Sequence, residues 1–99
     1  MTDPTEPTEP AFAELLDLLG RRWTLRILWE LRAGVLPFNE LRKRAGGLSQ
    51  SVLVTRLTEL FGSGLVADVR GGYELTARGA ALAVELGRLH TLAGQWATD

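Results

Sequence analysis

The stretch Leu48–Leu65, LSQSVLVTRLTELFGSGL, constrains the chain most, because it reads as a helix whose two faces call for different neighbours. Ser49 is a good N-cap, its hydroxyl able to accept from the free amides of a first turn, and Gly62 or Gly64 can supply the left-handed residue that ends a helix. The spacing predicts a helix over 49–62. Leu53, Leu57, Leu60 and Phe61 fall at i, i+4, i+7 and i+8, which gathers them into one stripe for burial. Opposite lie Ser51, Thr55 and Thr58, flanked by Val52 and Val54, with Gln50 at the tip. This outer face lacks the Glu and Lys of an ordinary solvated helix. Short polar groups and methyls suit close approach to base edges in a major groove. They suit equally a face covered by another part of the protein.

Upstream, residues 1–10 repeat T-E-P after a T-D-P start, and a disordered acidic tail is expected there, with a folded domain over 11–99. Ala11–Leu19 gives a short helix with Phe12, Leu15, Leu16 and Leu19 on one side, closed by Gly20. Trp23–Ala33 is a second helix, burying Trp23, Ile27, Leu28 and Leu31 and stopping at Gly34. Pro37 opens a third, whose inner face is Phe38, Leu41 and Ala45 and whose outer face holds Arg42, Lys43 and Arg44. Gly46-Gly47-Leu48 then connects tightly into the opening helix, and helix, Gly-containing turn, helix is the helix-turn-helix pattern.

Past Gly64 the period changes. Leu65–Val69 and Tyr73–Thr76 read as short strands, with Arg70-Gly71-Gly72 able to supply the positive φ of a tight hairpin. Thr76 caps a last helix over about 77–97, on which Leu82, Leu86, Leu89, Ala93 and Trp96 fall 4, 3, 4 and 3 apart. That seam, with the apolar side of the first helix, predicts a two-fold homodimer. The fold class is mainly α with a small β-hairpin, a winged helix-turn-helix whose terminal helices form the dimer interface.

Net charge is −1, and its distribution matters more than its size. Residues 1–20 carry −5, whereas residues 21–78 carry ten bases against five acids, so positive charge surrounds the candidate reading helix as phosphate contact requires. The hydrophobic content of 45% is that of a globular domain, and no apolar run approaches a membrane span. The acidic N-terminus has no secretory h-region, and a cytoplasmic location is the expectation. With no Cys and one His, a disulfide framework is excluded and no zinc constellation is visible, so neither metal nor cofactor is expected. No nucleophile with a base, paired carboxylates or phosphate-cradling Gly loop marks an enzyme.

The runs RRWTLRILWEL, PFNELRKRAGGLSQSVLVTRLTEL, GSGLV and YELTARGAAL, from Gly20 to Leu82, resemble the HxlR-type winged-helix transcription regulators, and more distantly MarR and PadR proteins. The resemblance implies a cytoplasmic homodimer that binds double-stranded DNA at palindromic operators. By position, Ser49, Gln50, Ser51, Val54 and Thr55 would face the groove, and Arg56 would match the family's basic position on that helix. Arg42, Lys43, Arg44 and Arg70 are further phosphate candidates, and the dimer would form through Phe12, Leu15, Leu16, Leu82, Leu86, Leu89, Ala93 and Trp96. Relatives often carry a sensing Cys just before the first helix; here Pro10-Ala11-Phe12 stands there, which excludes thiol sensing. The wing is shorter than in relatives, and Thr58 and Trp29 stand where relatives often have Arg. The alternative function is a winged helix serving dimerisation or protein interaction with weak or no DNA binding.

Three residues have plainer readings beside functional ones. His90 reads as an ordinary surface or interface histidine, and Arg70 as a hairpin-tip residue before a minor-groove contact. Trp29 either packs on the first or last helix or lines a dimer-interface pocket for a small apolar effector.

Overall fold

A computed structural model describes residues 8–99. Its elements run α1 (Thr8–Leu19), α2 (Thr24–Glu30), α3 (Phe38–Arg44), α4 (Gln50–Gly62), β1 (Val66–Val69), β2 (Gly72–Leu75) and α5 (Ala77–Thr98), with a 3₁₀ turn over Leu31–Ala33 continuing α2. This is a winged helix-turn-helix. α1 begins earlier than expected: Thr8, Glu9 and Pro10 form its first turn, where Pro is tolerated because its missing N–H would have had no helical partner. The rest of the expected disordered tail lies outside the described residues.

The helix-turn-helix is built by local signals that agree. Ser49 caps α4, its Oγ accepting from the Val52 N–H at 3.2 Å. At the far end Gly64 takes φ +76°, and the Leu65 N–H donates to the Leu60 carbonyl at 3.0 Å while the Gly64 N–H donates to Phe61 at 3.1 Å. α3 ends the same way at Gly46 and Gly47, whose amides donate to Lys43 and Arg42. Ile27, Leu28, Leu31, Leu41, Ala45, Leu48, Leu53, Leu57, Leu60, Leu65 and Val66 form one core beneath the two helices.

Three expectations need correction. Phe61 is 38% exposed rather than buried: Leu53, Leu57 and Leu60 fill the stripe, and Phe61, one position beyond, stacks instead on Tyr73 of the wing at 5.9 Å. Trp23 does not begin α2 but precedes it in the left-handed region at φ 79°, half-buried, with its indole beside Gly46 of the helix-turn-helix connection. The hairpin turn is Arg70–Gly71 alone, because Gly72 already pairs with Val69 in the antiparallel ladder. Gly72 also passes so close to the Leu36 carbonyl that a Cβ there would lie 2.1 Å from it, and Leu36 and Tyr73 exchange two 3.0 Å backbone hydrogen bonds. Leu36 is thus a one-residue third strand.

α5 leaves the domain through a crowded corner. Thr76 accepts from the Gly79 N–H at 3.1 Å as its cap and donates its hydroxyl to the Gly64 carbonyl at 2.6 Å, while its own N–H donates to Leu65 at 3.1 Å. Gly79 is buried with its Cα against the Leu65 carbonyl, where a Cβ would sit 2.1 Å from the oxygen. Gly79→Ala should therefore cost about 2 kcal/mol despite Ala's better helix propensity, a fall of roughly 10 °C in melting temperature. Gly62→Ala, whose Cβ meets nothing within 4 Å, should instead raise stability by up to about 1 kcal/mol. Equal effects of the two variants in thermal denaturation would contradict this corner.

Candidate nucleic-acid interface

The amphipathic spacing of α4 turns Gln50, Ser51, Val54, Thr55 and Thr58 outward, and none of them is ionisable. Ser49, Gln50, Ser51, Val54 and Thr55 line one shallow concavity, so the five candidate reading residues are brought together. Phe38, from the first turn of α3, completes the wall; sequence reading gave it only a core role, since its apolar spacing carried no sign of a second, solvent-facing edge. The two threonine hydroxyls are already engaged as donors. Thr55 Oγ1 donates to the Ser51 carbonyl at 3.0 Å and Thr58 Oγ1 to the Val54 carbonyl at 2.8 Å, while Ser49 Oγ serves as the cap and lies 3.4 Å from Ser51 Oγ.

The basic candidates separate into different roles. Lys43 is exposed and makes no salt bridge among the described residues. Arg44 is exposed but donates to Glu40 at 2.9 Å, and Arg42 is half-buried with its Nε lacking a partner. Arg70 stands exposed at the hairpin tip. Arg56 faces elsewhere: its Nε donates to the Arg22 carbonyl and its Nη1 to Glu59, both at 2.8 Å. Glu59 also accepts from Arg21, which donates to Asp17 at 2.9 Å, so this chain of charges fastens α4 to the connection between α1 and α2. Burial would raise the Glu59 carboxyl, but hydrogen bonds from Arg56 and Arg21 outweigh it and hold the group below its ordinary value. The Arg21 guanidinium is raised, chiefly by its hydrogen bond to Asp17.

The dimer candidates on α1 and α5 leave apolar surface uncovered. Trp96 is 67% exposed and Phe12 54%, with Leu16, Leu89 and Ala93 also exposed and Leu15, Leu82 and Leu86 half-buried. Phe12, Leu15 and Leu82 line one groove between α1 and α5. Leu25, Arg26, Trp29, Leu86, Leu89 and His90 line another between α2 and α5. There Trp29 packs on the last helix, stacking on His90 at 5.1 Å with the Arg32 guanidinium 3.8 Å over its ring. Among the described residues no group of three His, Cys, Asp or Glu could hold a metal, and no helix is long and apolar enough to cross a membrane.

A family model described as HxlR-like helix-turn-helix matches residues 18–99. The Bacillus subtilis (strain 168) HTH-type transcriptional regulator YvaP is 36% identical over 94 residues, covering 88% of this chain and 87% of that protein. Among solved structures, quinone-bound YodB from B. subtilis superposes with a TM-score of 0.77 at 32% identity, over 87% of this chain and 97% of the other. A possible HxlR family transcriptional factor from Thermoplasma volcanium reaches 0.75 at 29% identity, over 99% and 88%.

Glu59 sits part-buried between two guanidinium groups, and its contribution should be visible in stability alone. Glu59→Gln should cost about 1 kcal/mol at neutral pH, the scale of a small ion-pair network. A carboxyl held low stabilises the fold fully above its unfolded value and loses that contribution as pH falls through the folded one. The gap between the two proteins in urea denaturation should hold above about pH 5 and close in acid below the ordinary value of 4.5. A gap independent of pH would contradict it.

Proposed function

The chain belongs to the HxlR-like helix-turn-helix family, and from that premise we propose how it engages its operator. It is a DNA-binding transcriptional regulator rather than an enzyme, as its relatives are. Two protomers join about a two-fold axis through α1 and α5, closing the seam of Phe12, Leu15, Leu16, Leu82, Leu86, Leu89, Ala93 and Trp96. The observation that supports this is the row of large apolar side chains left uncovered on those two helices. The paired α4 helices then present Ser49, Gln50, Ser51, Val54 and Thr55 to major grooves about one DNA turn, roughly 34 Å, apart or a multiple of that, on a palindromic operator.

The observation that carries the reading is an exposed, uncharged face of α4 with exposed cations on the preceding helix and the wing. Lys43, Arg42, Arg44 and Arg70 contact phosphates, while Arg56 acts by holding α4 in place through Arg22 and Glu59. The groove of Leu25, Trp29, Leu86, Leu89 and His90 is the place for a small apolar effector, since a ligand there touches both the dimerisation helix and α2. The protein acts in the cytoplasm. A second reading, a winged helix used for protein interaction, draws on the pairing of Arg44 and Arg56 with carboxylates, which partly neutralises two of the cations around α4.

Light scattering at micromolar concentration should give twice the 10.8 kDa chain mass, and a monomer would refute the dimer. In titrations on operator and random duplexes, Gln50→Ala should cost roughly 1–3 kcal/mol on the operator and much less on random DNA. Lys43→Ala should weaken both alike and flatten the log–log salt slope by about 0.9 for each phosphate that the lysine neutralises. Equal losses on both duplexes for Gln50→Ala would remove the base-reading assignment, and no loss for either variant would favour the interaction module.

A further inference from the structure

We propose that the reading face of α4 selects A·T-rich half-sites, seating a thymine methyl against Val54 and Phe38 while the Gln50 amide pairs with an adenine. This rests on the DNA-reading assignment above and adds the base chemistry that the face accepts.

The inference comes from what the exposed groups can still offer. Thr55 and Thr58 have given their hydroxyl protons to the Ser51 and Val54 carbonyls, so toward a ligand each presents an acceptor oxygen and a methyl. Ser49 Oγ receives the Val52 N–H and lies 3.4 Å from Ser51 Oγ, so one hydroxyl proton of that pair is left to donate. Guanine is read through its N7 and O6 acceptors, most often by a bidentate Arg or Lys. The cation on α4 is Arg56, and its guanidinium is turned away to Arg22 and Glu59. In the major groove an A·T pair and a G·C pair each offer two acceptors and one amino donor, and the A·T pair adds a methyl, which the exposed Val54 and the threonine methyls complement. Gln50 carries the one side-chain amide on this face, with the donor and acceptor that fit adenine N7 and N6.

The apolar part of the face is held in place before DNA arrives. Val54 is 53% exposed and belongs to a rigid helix. Phe38 shares its concavity and is fixed edge-on to Tyr73 at 6.3 Å, which in turn stacks on Phe61 at 5.9 Å. The wall a methyl would meet is therefore braced by the wing. Such a contact reports on the thymine methyl itself, apart from hydrogen bonding.

The test uses the full chain and a randomised duplex pool, followed by replacing each thymine of the enriched site with uracil, which lacks only that methyl. The proposal expects A·T-rich half-sites and about a fourfold loss of affinity at one thymine per half-site, the worth of one buried methyl group. Val54→Ala, at an exposed helical position, should bind the thymine and uracil duplexes alike. A G·C-rich site, or equal binding of thymine and uracil at every position, overturns the proposal while leaving sequence-specific binding intact. Failure of any sequence to enrich overturns the DNA-reading assignment and this inference together.

Discussion

The close approach of Gly79 to the Leu65 carbonyl is the constraint on which the rest of the architecture depends. It lets the first turn of α5 lie against the residues that terminate α4, and the Thr76 bonds to Gly64 and Leu65 lock that crossing. Arg78 adds a 3.3 Å bond to the Ser63 carbonyl. The helix proposed to carry the dimer seam is thereby joined to the helix proposed to face DNA without a flexible linker between them. A two-fold dimer can fix the spacing of its reading helices only if that joint is stiff, and a side chain at residue 79 would push α5 away from the Leu65 carbonyl.

Part of the charge in this domain holds the fold together. Arg21 and Arg56 converge on Glu59, Arg26 on Glu30 and Arg44 on Glu40, so several of the cations that surround α4 are partly neutralised by the protein's own carboxylates. Lys43 and Arg70 stand exposed and outside these pairs among the described residues. The same pairs set the pose of α4, because the Arg56 bond to the Arg22 carbonyl reaches across to the turn before α2.

Much of this could be read from the sequence where local chemistry decides. Ser49 and Thr76 cap the helices they precede, and the spacing of Leu53, Leu57 and Leu60 defines the buried stripe. What escaped depends on tertiary neighbours. Phe61 shares the periodicity of the stripe but lies under Tyr73, and a single residue, Leu36, pairs with β2 without any strand pattern to announce it. Trp23 takes a left-handed conformation that sequence disfavours in a bulky residue, with its ring against the Gly46 turn. Arg56 reads as a phosphate contact from its place on α4, and only the position of Arg22 and Glu59 shows its guanidinium bonded within the fold. The outer face of α4 is the converse case: its uncharged composition is plain in the sequence, but that the Thr55 and Thr58 hydroxyls donate to their own helix is a matter of rotamer.

The absence of cysteine makes one direct measurement simple. Ser51→Cys introduces a single thiol on the outer face of α4, to which an iron–EDTA cleavage reagent can be attached and the strand breaks mapped on the bound operator. A dimer that lays α4 in the major groove predicts two symmetric clusters of cuts separated by about one turn, some 10 base pairs, or a multiple of it. The same reagent on Gln95→Cys, far along α5, should cut weakly or not at all. Diffuse cleavage from position 51, or equal cleavage from both positions, would contradict the assignment of α4 as the helix that reads DNA.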